Sequence, residues 1–82
     1  MARKPARKNI IGKRVAEARY ACEPTLTQDA LSGRLARLGV QIDRAAISKI
    51  ENGDRHVLDY ELKALADVLD AEVSWLLGDE KR

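Results

Sequence analysis

Cysteine, histidine and large aromatics are nearly missing from this 82-residue chain, which has one Cys, one His, one Trp, two Tyr and no Phe. A lone cysteine excludes an internal disulfide framework, and together with a lone histidine it excludes metal sites built from several Cys or His. The same scarcity leaves no nucleophile paired with a base, and no phosphate-binding loop occurs, so neither an enzyme nor a bound cofactor is expected. No apolar run reaches the roughly 18–20 residues of a membrane span, and no membrane association is expected. The basic start, Met1-Ala-Arg-Lys-Pro-Ala-Arg-Lys8, lacks the apolar stretch of a secretory signal, which predicts a cytoplasmic protein. With aromatics at 4% and hydrophobics at 45%, the core has to be aliphatic, and the length allows one small domain.

What is present is unevenly placed. The formal net charge of +2 divides into residues 1–14 with six bases and no acid, residues 15–50 with five bases and four acids, and residues 51–82 with four bases and nine acids. A basic arm, a mixed centre and an acidic end suit a protein with one side facing a polyanion, although a basic leader alone is equally a solubilising tail.

Apolar spacing is helical from end to end. Ile11, Val15, Ala18 and Cys22 form one stripe of a first helix over about 10–21, closed by Glu23-Pro24. Thr27 is a good N-cap for a second helix over 28–38 with Leu31, Leu35 and Leu38 inward, ended by Gly39 in a left-handed cap position. Asp43 caps a third helix over 44–52 with Ala46, Ile47 and Ile50 inward, stopped by Asn52-Gly53. Asp59 caps a fourth helix whose inner face is Leu62, Leu65, Ala66 and Leu69, and a last segment over 72–77 presents Val73, Leu76 and Leu77 before Gly78. Nothing alternates with period two over a useful length. The prediction is an all-α domain of five short helices over 10–78, with a flexible basic arm over 1–9 and a charged tail over 79–82. Cys22 reads as a small buried hydrophobe, His56 as a loop residue, and Trp75 as core with part of its segment available for dimer contact.

Helices two and three with their short turn form a helix-turn-helix pair. Arg44, Ala45, Ser48 and Lys49 lie off the inner stripe of the third helix. A helix fits the major groove, where Arg and Lys donate to guanine O6 and N7. The basic residues Arg7, Lys8 and Arg14 are candidates for phosphate or minor-groove contact.

Leu26-Thr-Gln-Asp-Ala-Leu31, Ala46-Ile-Ser-Lys-Ile-Glu-Asn-Gly53, Glu61-Leu-Lys-Ala-Leu-Ala66 and Trp75-Leu-Leu77 together resemble the Cro/repressor-type (XRE) helix-turn-helix family. The resemblance spans roughly residues 10–78. It implies a compact five-helix, lambda-repressor-like domain that binds double-stranded operator DNA as a homodimer and regulates transcription, most often by repression. By the same resemblance, Gln28 touches the nucleic acid at the start of helix two and braces the recognition helix, with the capping Thr27 beside it. Arg44 and Ala45 take the first recognition positions, Ser48 and Lys49 follow, and Asn52 and Arg55 track the DNA backbone. Arg19 and Glu51 match a structural ion pair. The sequence departs from the compact motif at Ala36–Ile42, which lengthens either helix two or the turn, and in the loop at 21–25. A protein-binding module, such as an antitoxin or a regulatory adaptor, is the alternative function.

Overall fold

Capping chemistry sets the helix limits at the centre of the chain. In the computed structural model, which describes residues 7–80, the Thr27 hydroxyl accepts from Ala30 N at 3.0 Å and the Asp43 carboxylate from Ala46 N at 2.8 Å. Each side chain satisfies an amide that the first helical turn leaves without a partner. The helices that follow are α2 (Gln28–Arg37) and α3 (Arg44–Asn52). Gly53 ends α3 at φ 82°, a left-handed conformation that costs glycine nothing, and Asp54 N closes back on Lys49 O. Before them runs α1 (Gly12–Ala21), and after them α4 (Asp59–Leu69) and the single turn α5 (Val73–Leu76). No strand occurs among the described residues. The fold is all-α and fits a lambda-repressor-like domain.

The core is aliphatic, as the composition requires. Val15, Leu31, Leu35, Ile47, Ile50, Leu65 and Leu76 are fully buried, with Trp75 packed at the edge. Helix α3 packs on α1 and α2, while α4 packs on α1, α2 and α5. The recognition pair is therefore held from behind by α1 and α4.

Four sequence expectations change. Leu38 is not inward but 53% exposed, because α2 stops at Arg37 and the cap turns the side chain out. Of the stretch 36–42, residues 36 and 37 therefore end α2 and 38–42 belong to the turn, from which Val40 and Ile42 enter the core. Leu77 is likewise exposed, lying just past the end of α5. The N-cap of α4 is Leu58, not Asp59. A leucine side chain cannot cap a helix, but the Glu61 carboxylate accepts from Leu58 N at 3.0 Å, and Asp59 lies in the first turn beside the positive end of the helix dipole. Finally, residues 7–9 are not a loose arm. Lys8 N donates to Gly53 O at 2.9 Å and the Asn9 side chain makes four hydrogen bonds. Residues 1–6 and 81–82 lie outside the described residues.

Candidate nucleic-acid interface

At 3.6 residues per turn, positions 44, 45, 48, 49 and 52 fall on one side of α3, opposite Ala46, Ile47 and Ile50. The structure brings the outward residues together as a surface. Arg44, Ala45, Lys49 and Asn52 are exposed and Ser48 is half-buried. Arg44 approaches Asp29 at 3.8 Å, with both side chains mostly in solvent. Such a pair is worth little and leaves the guanidinium available. Beside α3 runs a shallow cleft lined by Lys8, Lys49, Arg55 and His56 together with two carboxylates, Asp43 and Asp54.

Behind this face, α3 is fixed by an ion pair. The Arg19 guanidinium donates to Glu51 from Nε at 2.7 Å and from Nη2 at 3.0 Å, with side chains 7% and 9% exposed. Nη1 of the same arginine reaches Leu26 O at 3.0 Å, and its guanidinium carbon stands 4.5 Å from the Tyr20 ring centre. The hydrogen bonds to Glu51 raise the pKa of Arg19 still further. Gln28 Nε2 donates at 3.1 Å to Glu51 Oε1, the same oxygen that accepts from Arg19 Nη2, tying the start of α2 to α3. One buried acid thus fixes three elements, and no buried polar side-chain atom among the described residues is left without a partner.

Two of the expected contact residues, Arg55 and Arg14, are committed elsewhere. Arg55 grips Glu61 with two parallel bonds of 3.0 and 3.1 Å and donates to its neighbour's carbonyl, His56 O. Its charge is spent on a carboxylate only 5% exposed. Arg14 lies over Trp75, 4.7 Å from the ring centre, and donates to Trp75 O, Asp79 O and the Glu80 carboxylate. Arg7 sits at the far end of α3, where Nη1 donates to Asn52 O at 3.4 Å. Thr27 is exposed at the start of α2 and uses its hydroxyl for the cap. The sequence carried no sign of the Arg55–Glu61 bond, because a separation of six residues across a loop follows no helical or strand register.

Residues 25–76 match the family model described as Helix-turn-helix. The chain belongs to the XRE-type helix-turn-helix family. It is a DNA-binding regulator of XRE type. No curated protein and no solved structure matches it. Within this helix-turn-helix domain, no helix of the described residues is long and apolar enough to cross a membrane.

The Arg55–Glu61 bond gives the domain a predictable acid response. Hydrogen bonding to Arg55 holds the Glu61 carboxyl below its ordinary range, against the opposing pull of burial. A depressed carboxylate stabilises the fold fully above its unfolded pKa, about 4.3 for glutamate. That contribution is lost as pH falls through the lower folded value. Thermal unfolding is therefore expected at lower temperature as the pH drops below about 4.3. The Glu61→Gln variant should be less stable at neutral pH and show a shallower acid decline, and equal slopes for the two proteins would remove Glu61 from the acid response.

Proposed function

We propose that this protein is a transcriptional repressor that binds a palindromic operator as a homodimer, with α3 of each protomer in the major groove. The observation that carries the reading is the outward face of α3, where Arg44, Ala45, Ser48 and Lys49 form a solvent-facing polar surface on a helix held rigid from behind. Two protomers would set their α3 helices into successive major grooves about 34 Å apart, and the bound dimer would block polymerase by occupying the site. Within the cell this places the protein in the cytoplasm, on DNA.

The roles follow from chemistry and reach. Arg44 reads a guanine edge through O6 and N7, Ala45 offers its methyl to a thymine, and Lys49 reaches a base or phosphate one turn on. Ser48 and Asn52 bond base or backbone oxygens, and Thr27 and Gln28 bring the start of α2 to a phosphate. Arg7 and Lys8, beside the end of α3, supply backbone charge. Arg55 and Arg14 are assigned to holding the loop and the C-terminal residues, because their guanidiniums are engaged with Glu61 and Glu80.

Arg44→Ala is the direct test. It is expected to weaken binding to the preferred duplex by about 1–3 kcal/mol and to relax the base preference at one position in each half-site. Lys49→Ala, if the lysine meets a phosphate, lowers the slope of log affinity against log salt by about one. Fluorescence anisotropy titrations across a salt series measure both, and an unchanged affinity for Arg44→Ala would overturn the reading of α3.

A further inference from the structure

Asn9 stands three residues ahead of α1, yet its side chain is shared between two helices. Oδ1 accepts from Ile11 N at 3.0 Å and Gly12 N at 2.9 Å, so it closes the start of α1 where the N-cap residue Ile11 has no side chain able to do so. Nδ2 donates to Ile50 O at 3.1 Å, in the last turn of α3, and to Arg55 O at 2.8 Å, in the loop that follows. An amide has two donors and two acceptor lone pairs, and all four are used here. Around it, Lys8 N donates to Gly53 O and Arg7 to Asn52 O, so residues 7–9 together supply donors to the carbonyl end of the recognition helix. Carbonyls at a helix C-terminus carry partial negative charge and need such donors.

We infer that Asn9 is a positioning residue for DNA recognition: through α1 it fixes the angle at which α3 and the loop over 53–57 face the duplex. This rests on the reading of α3 as the DNA-contacting helix. The close seating of Gly12 against the carbonyls of Ile50 and Glu51 leaves α1 and α3 in direct backbone contact, so a bond to Ile50 O from the residue that caps α1 transmits position with little slack. Arg55 O is the second anchor. Holding it sets the backbone of the loop whose side chains Arg55 and His56 line the cleft next to Lys49. DNA contacts that must be met by several groups at once are weakened when one element is free to shift.

Two variants separate positioning from folding. Asn9→Asp keeps an oxygen to accept from Ile11 N and Gly12 N but turns the donor end into an oxygen facing two carbonyls. Asn9→Ser keeps a hydroxyl of the kind that caps helices and is too short to reach α3. Val68→Ala, on α4 and partly buried, is a control that lowers stability away from α3. Affinity is measured on the duplex selected by wild-type protein and compared at equal folded fraction, with amide exchange followed over residues 53–57.

Both Asn9 variants are expected to bind about tenfold more weakly, because α3 and the loop over 53–57 then have to be ordered on binding instead of beforehand. They should also exchange faster at 53–57, while Val68→Ala binds as wild type once folded. Should Asn9→Asp fail to fold, Asn9→Ser decides. Full affinity for the folded variants would overturn the inference. If Arg44→Ala weakens binding in the same assay, the reading of α3 survives that result; if Arg44→Ala also binds as wild type, both fall together.

Discussion

Arg19→Met is expected to cost about 3–5 kcal/mol of folding stability, because it leaves the Glu51 carboxylate buried without its cation. A domain of this length has only about 4–12 kcal/mol in total, at roughly 0.05–0.15 kcal/mol per residue. The loss is therefore between about a quarter and all of the folding free energy. Three bonds disappear together, two to Glu51 and one to Leu26 O. The Gln28 amide keeps its contact with an acid that has lost its cation. Removing both charges, as in Arg19→Met with Glu51→Leu, should recover part of the loss, since apolar replacement of a buried pair is often tolerated. Recovery stops short of complete because Leu26 O and the Gln28 amide lose their partners. Urea unfolding of the two variants measures this, and a loss below about 1 kcal/mol for Arg19→Met would mean that the pair behaves like an exposed one.

The second large effect concerns a glycine. A Cβ on Gly12 would collide with Ile50 O and lie 2.7 Å from Glu51 O, both backbone atoms of α3. Neither can swing aside as a flexible side chain would, so Gly12→Ala has to push α1 and α3 apart. Overpacking of this kind costs about 1–3 kcal/mol or more. Separation of the two helices also stretches the Arg19–Glu51 and Asn9–Ile50 bonds, so DNA binding should fall together with stability. Gly33→Ala is the contrast. Nothing lies within 4 Å of the Cβ it would add to the exposed side of α2, and alanine is favoured over glycine inside a helix by about 0.5–1 kcal/mol. Opposite shifts in melting temperature for the two glycines are the expected result. A neutral Gly12→Ala would show that α1 and α3 can move apart freely.

Much of this architecture is legible before any coordinates. Thr27, Asp43 and Gly53 mark the limits of α2 and α3 because capping is a local property: a short polar side chain, or a residue free to turn left-handed, within one turn of the helix end. The inner stripes of α3 and α4 follow from periodicity. Leu38 and Leu77 are misplaced by the same periodicity, since it runs on past the residue where the backbone leaves the helix. Val40 and Ile42 show the converse, entering the core from a turn that has no period. The Arg19–Glu51 pair follows from the family resemblance alone, because a separation of 32 residues carries no local signal of its own. Asn9 left a faint one. An asparagine shortly before a helix start is a capping residue, but within a run of basic residues it is easily read as part of a tail. The Arg14 and Arg55 contacts depend on where α5 and the loop after α3 return in space, which sequence spacing does not encode.

Selection of bound duplexes from a random pool, followed by a salt titration on the enriched site, tests the DNA-reading assignment of α3 most directly. The expected product is one site with two inverted half-sites about 10–10.5 base pairs apart, centre to centre, or a multiple of that spacing. Its affinity should fall steeply with added salt, as phosphate contacts by Arg and Lys require. A pool that stays random through successive rounds would contradict sequence-specific binding by α3 and favour a protein-binding role for this domain.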